Sequence, residues 1–332
     1  MKNYQMKTNW WSKIYRGISA AFPVILLSAA AAIILVNLSL MSAIPTLSTK
    51  LPPPSLPPTP NPFDEINLEA KAAIVFDALE NKIIYSLNSE EQLPLASLTK
   101  IMTVVVAREI LPEYATVTID RDSVKKEGDS GLRTGEKWRA RDLLDFTLLV
   151  SSNDGAASLA AAAAAVFVGT GQNTEGVVNE LVAKENQFAA KMNEKARSLG
   201  LAQTYFLNET GLDLQPQVSG GYGSARDVAI LLTYAATKYP DLFEATRQPV
   251  FKVAPLDGKS RTAKNTNEAA AKIPGLLASK TGYTDLAGGN LAVLFDAGLG
   301  HLVAVVVLGS SEQGRFSDVE KLASATMSFL ND

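Results

Sequence analysis

LPLASLTKIMTVVVA, residues 93–107, reads as the start of an apolar helix with a lysine, Lys100, inside it. Burying an isolated ammonium is expensive, so the position demands a reason. Lys100 follows Ser97 by three residues, and positions i and i+3 share one helix face. Ser97 then falls at the helix N-terminus, where backbone N–H groups and the dipole favour an oxyanion. A desolvated lysine loses basicity, and a neutral amine beside a serine can take its proton. The plain alternative is that Ser97 caps the helix while Lys100 snorkels to solvent. Ser-x-x-Lys alone does not separate the two readings. A second copy, Ser123–Lys126 in RDSVKKEGD, looks like polar surface.

Two further segments favour the chemical reading. SSND (151–154) sits between two helical patterns as a short loop offering a hydroxyl and an amide. SKTGYTD (279–285) lies on a predicted strand, with Lys280 and Thr281 read as sharing a face beside Gly282, which allows close approach. A decoy, Arg133-Thr134-Gly135, precedes a helix rather than lying on a strand.

Periodicity frames these segments. AAIVFD (72–77) and KIIYSL (82–87) flank a short turn as a hairpin. Helices are predicted over 98–110, 141–150, 154–168, 187–200, 224–239 and 317–330. Gly200 is a suitable C-cap and Ser224 a suitable N-cap. GLLASKTG (275–282), NLAVLFD (290–296) and HLVAVVVLG (301–309) read as three adjacent strands. Strands at both ends with helices between imply one antiparallel sheet completed by both ends of the domain, an α+β arrangement.

The ordered set Ser97-x-x-Lys100, Ser151-x-Asn153, Lys280-Thr281-Gly282 resembles that of penicillin-binding proteins and class A β-lactamases. One branch is closer, the low-molecular-mass serine D-Ala-D-Ala carboxypeptidases. LPLASLTKIMT resembles its nucleophile segment, and 131–160 its second motif with the lead-in helix. MNEKARSLGLAQTYFLNETGLD (192–213) and 264–293 look like its later conserved stretches, so the likeness runs from about residue 70 to 330.

The resemblance implies a β-lactamase/transpeptidase-like fold, with a five-stranded antiparallel sheet flanked by helices and a helical subdomain. It implies that Ser97 attacks the D-Ala-D-Ala carbonyl, Lys100 acts as general base and Ser151 relays a proton to the leaving amine. Asn153 would hold the acyl-side amide, Lys280 support the network and Thr281 bind the terminal carboxylate. The N–H groups of Ser97 and Tyr283 would form the oxyanion hole. Arg315 falls where the family often places an arginine near the substrate carboxylate, against the plain reading of a solvated loop charge. Peptidoglycan stem peptides and β-lactams are the implied partners, and no cofactor is implied. Cross-link endopeptidase activity uses the same groups. A β-lactamase would need a glutamate for deacylation, and Glu175-Gly-Val-Val-Asn179 has that spacing. An inactive penicillin-binding scaffold is the non-enzyme alternative. Ser152 and Gly155 depart from the family's usual residues, and 170–186 looks like an insertion.

Composition bounds the rest. With no cysteine, disulfides, thiolate metal sites and a cysteine nucleophile are excluded. His301, the one histidine, reads as a surface strand residue. A net charge of −3 gives no support for nucleic-acid binding. Residues 1–16 carry four bases and no acid, and Gly17–Thr49 carries no charge. Within it, the 21 residues 21–41 would span roughly 30 Å as a helix, the hydrocarbon thickness. The expected layout is a cytoplasmic tail (1–16), a transmembrane anchor (17–44), a proline-rich linker (45–63) and an extracytoplasmic catalytic domain (64–332). A cleaved signal ending near Ala43 is the alternative to the anchor. Five of the 31 bases and none of the 34 acids precede Asp64, so the outer domain is net acidic.

Overall fold

A computed structural model describes residues 61–128, 130–169 and 180–331. The predicted membrane span, most of the linker and the Glu175–Asn179 spacing lie outside the described residues. The first strand, β1 (Ala72–Asp77), is buried along its whole length. Ala72, Ile74 and Phe76 join one apolar cluster, while Ala73 and Val75 join another on the opposite face. Strand alternation therefore feeds two cores from one continuous apolar run. A turn leads to β2 (Lys82–Leu87), as the hairpin pattern predicts.

The chain then leaves the sheet for a helical region. It contains α1 (Thr99–Ile110), α2 (Ala140–Leu149), α3 (Asn153–Gly169), α4 (Glu180–Ser198) and α5 (Ala225–Lys238). Helix α4 begins at Glu180, seven residues before the predicted start; the segment lacks an apolar period that would reveal it. Ser224 caps α5, its side chain accepting from Asp227 N. The chain returns to the sheet as β3 (Leu276–Thr284), β4 (Gly288–Asp296) and β5 (Leu302–Ser310), and ends in α6 (Gly314–Asn331).

The sheet order is β3-β4-β5-β1-β2, antiparallel throughout. Val75 faces Val305 where the first strand meets the last. Helix α6 covers one face, and the other meets α5 and the helical region. All of Thr99–Ala107 is buried, so α1 runs through the interior and has no polar face. That placement carries Lys100 inside. The edge strand β3 faces this region, and the site forms along that edge.

Candidate active site

Ser97 lies in a 3-10 turn, Ala96–Leu98, that runs directly into α1. Ala96 holds φ 47°, a left-handed conformation that costs a non-glycine residue roughly 1–2 kcal/mol. The strain is imposed from outside. At Gly211, φ 78°, an added Cβ would fall 1.9 Å from Ala96 O, so only glycine lets this loop pass. A Cβ at Gly282 would fall 3.0 Å from Leu95 O and 3.1 Å from Ser97 N, so β3 presses against the same turn. Asn290 Nδ2 also donates to Pro94 O at 3.0 Å, tying the approach to β4.

Lys100 is fully buried. Its Nζ lies 2.9 Å from Ser97 Oγ, 2.6 Å from Asn153 Oδ1 and 2.7 Å from Thr210 O. Burial lowers its pKa to about 7, against the opposing pull of Glu209 and Asp154. Two of its three neighbours are carbonyl oxygens, which only accept. A neutral amine has two N–H donors and one lone pair. The carbonyls use both donors, and the lone pair is left for the Ser97 hydroxyl. Burial, rather than a neighbouring cation, is the main cause of the lowered basicity.

Ser151 sits in the turn between α2 and α3 with φ 61°. Its Oγ accepts from Lys280 Nζ at 2.8 Å, and the same nitrogen donates to Thr281 O at 2.6 Å. Lys280 is buried on β3, and burial together with the charge of Lys100 and Arg315 holds its pKa well below the usual lysine value. Asn153 opens α3, and its Nδ2 donates to Glu127 O at 2.6 Å. Both hydroxyls remain partly accessible, while both lysines are enclosed.

Residues 278–284 pair regularly with β4, so consecutive side chains alternate and Lys280 and Thr281 do not share a face. Thr281 Oγ1 instead lies 2.7 Å from Thr266 Oγ1. Tyr283 is 45% exposed at the strand's end. Arg315 is not a solvated loop charge: it is buried at the start of α6, with Nη1 donating to Gly282 O at 2.8 Å. Its guanidinium also stacks 4.7 Å over Phe316. The nine sequence-selected residues thus gather around one junction of α1, the α2–α3 turn and β3.

Other readings are corrected or borne out. Ser123 is buried, and its Oγ donates to Asp120 Oδ2 at 2.6 Å, while Lys126 lies 3.6 Å from Glu209 Oε1. The second Ser-x-x-Lys thus stands in a polar surface turn, as expected, with Asp122, Lys125 and Glu127 exposed and the Ser123 side chain tucked in. Arg133–Gly135 precedes a short strand, Lys137–Arg139, which then enters α2. His301 is half-buried and pairs with Asp77, Nε2 to Oδ2 2.7 Å.

Thr210 was not selected from sequence. Its contribution is a backbone carbonyl, which has no side-chain signature. Asn208 organises it: Oδ1 accepts from Thr210 N at 3.1 Å and Gly211 N at 2.7 Å.

The chain matches the peptidase S11 family, D-alanyl-D-alanine carboxypeptidase, over residues 59–175 and 176–312. It is 30% identical over 264 residues to the D-alanyl-D-alanine carboxypeptidase DacF of Bacillus subtilis, covering 78% of this chain and 62% of that protein. It is also 30% identical over 293 residues to a D-alanyl-D-alanine endopeptidase of Pseudomonas aeruginosa, covering 87% of this chain and 86% of that protein. Among solved structures, penicillin-binding protein D2 of Listeria monocytogenes, in its ampicillin-bound form, superposes with a TM-score of 0.63 at 26% identity. That match covers 78% of this chain and 98% of the other. Fold, motif order and matched length agree that this chain belongs to the peptidase S11, D-alanyl-D-alanine carboxypeptidase, family.

Proposed function

We propose that the protein is a serine-type D-Ala-D-Ala carboxypeptidase that removes the terminal D-alanine of peptidoglycan stem peptides. The observation that carries this reading is the wholly buried Lys100 amine, 2.9 Å from Ser97 Oγ with both of its N–H donors claimed by carbonyls. Ser97 attacks the penultimate D-alanine carbonyl as Lys100 takes its proton. Ser151, bound to Lys280, passes a proton to the departing amine. Asn153 orients the acyl-side amide, and Thr281 and Arg315 receive the carboxylate. The N–H groups of Ser97 and Tyr283 stabilise the oxyanion across the close approach at Gly282. Water releases the acyl group, whereas a β-lactam leaves Ser97 acylated.

Residues 17–44 anchor the chain in the membrane, with 1–16 cytoplasmic and 64–332 outside. The proline-rich segment 45–63 spaces the two at about 3 Å per residue. A class A-like β-lactamase is the competing enzyme reading, and a long-lived penicillin adduct would exclude it.

Mass spectrometry of the full-length chain, purified in detergent, tests the reading. The wild type gains a penicillin adduct on Ser97 and releases D-alanine from a D-Ala-D-Ala peptide; Ser97→Ala does neither. An adduct on Ser123 would overturn the assignment.

A further inference from the structure

Glu209 is buried, its side chain only 2% exposed, and the reaction proposed above gives it no part. A carboxylate this far from water is costly unless a cation stands against it. Lys126 supplies one, with Nζ 3.6 Å from Glu209 Oε1. This lysine closes the second Ser-x-x-Lys, which the Ser97 site leaves unused. The turn that holds it is well braced. Ser123 N and Oγ both donate to the Asp120 carboxylate, at 2.8 Å and 2.6 Å, and Lys126 N donates to Ser123 O at 3.1 Å.

Both members of the pair are tied to Lys100 by the backbone beside them. Glu209 O accepts from Thr103 Oγ1 at 2.6 Å, and the next carbonyl, Thr210 O, accepts from Lys100 Nζ at 2.7 Å. Residues 100 and 103 are neighbours on one face of α1, so the loop is pinned along the face that carries the base. Next to Lys126, Glu127 O accepts from Asn153 Nδ2 at 2.6 Å, and Asn153 Oδ1 lies 2.6 Å from Lys100 Nζ. The charged groups facing Lys100 are Glu209 from this loop, Asp154 from α3 and Lys280 from β3. Burial holds the basicity of Lys100 down; Glu209 opposes that most, then Asp154. Asp154 Oδ2 also accepts from Ser130 Oγ at 3.0 Å.

We infer that Glu209 and Lys126 are positioning residues for the base: Lys126 keeps Glu209 ionised, and Glu209 steadies the positive charge that Lys100 acquires. The inference rests on the acyl-enzyme reading proposed above. As Ser97 Oγ bonds to the carbonyl carbon, its proton passes to Lys100 Nζ and the carbonyl π electrons move to oxygen. Lys100 is enclosed, so water does not solvate the new ammonium and a fixed carboxylate takes that role. Glu209 and Lys126 exchange no proton in this step.

Stopped-flow acylation of the full-length chain in detergent by a fluorescent penicillin, from pH 5 to 9, tests the inference. Glu209→Gln keeps the size of the side chain and removes its charge, so Lys100 becomes a weaker base. The acid limb of the profile should move about one pH unit lower. Above pH 8 the rate should fall on the order of threefold, since a weaker base removes the proton less well. At pH 5 more of the amine is neutral, and the variant should be faster than wild type. The two profiles therefore cross, whereas damage to the fold lowers the rate at every pH. Lys126→Met removes the cation beside Glu209, and a buried carboxylate that loses its cation takes up a proton. Its limb should move the same way by a smaller amount, and Lys126→Arg should keep the wild-type profile. An unmoved limb in Glu209→Gln, or a uniform loss of rate, overturns the inference. A limb moved to higher pH in Lys126→Met overturns the part given to Lys126. A wild-type protein that forms no adduct on Ser97 overturns the acyl-enzyme reading itself.

Discussion

Lys100 illustrates how a residue's chemistry depends on its surroundings. An exposed lysine near pKa 10.5 is protonated at neutral pH and has no lone pair to offer. Burial brings Lys100 to about 7, and the two carbonyls fix which of its positions faces Ser97. Acylation by a penicillin should therefore depend on pH through this amine. Below about pH 6 the rate should fall tenfold per unit, because the protonated fraction grows. Above about pH 8 it should level off, as measured by stopped-flow acylation from pH 5 to 9. A flat profile across that range would count against Lys100 as the base. Lys100→Arg keeps a cation but cannot supply a neutral amine, so acylation should drop by roughly a thousandfold or more.

At the scale of elements, the site depends on chain segments pressed closer than side chains allow. Gly211 passes against Ala96 O, and the loop it belongs to presents Thr210 O to Lys100. Gly211→Ala should displace both partners. Penicillin acylation should fall on the order of a hundredfold, and Tm should drop by about 5 °C. A variant with wild-type acylation would show that this contact is not needed. Helix α2 holds a different tension. Asp145 is buried, and its Oδ1 has no hydrogen-bond partner among the described residues. Burial raises its pKa to about 8, against the attraction of Arg141. The folded protein keeps this proton up to about pH 8, while the unfolded chain loses it near 3.8. The folded state then binds more protons across that window, so stability from this group falls as pH rises. Asp145→Asn removes the dependence and should stabilise the protein at pH 7 by on the order of 4 kcal/mol. Thermal melts at pH 5 and pH 8 would show a smaller difference in the variant than in the wild type.

Across the whole molecule, legibility in the sequence divides by the kind of signal each feature leaves. The neighbouring interior strands β1 and β5 are buried on both faces, so they appear as unbroken apolar runs, and their pairing closes the sheet from both ends of the domain. Ser97, Lys100, Ser151, Asn153 and Lys280 were singled out through the resemblance of their ordered motifs to a known family, since Ser-x-x-Lys alone does not separate a site from a cap. Thr210 was not, since it acts through its backbone. The pairing of Lys126 with Glu209 was not, since the two meet only in the folded chain. The N-terminal segment rests on composition alone. Four bases precede an uncharged stretch that reaches to Thr49, and all the acids lie C-terminal to it. A Lys/Arg-bearing flank ahead of an apolar span favours keeping that flank in the cytoplasm, so the anchor proposed above would place the C-terminal remainder of the chain outside. The full-length chain should therefore stay with membranes through alkaline carbonate washing, and external protease should reach the catalytic domain in spheroplasts. The intact mass of the mature protein separates anchor from signal. A chain retaining residues 1–44 is anchored, whereas a new N-terminus at Ile44 together with release by carbonate would mean that the segment is removed after export.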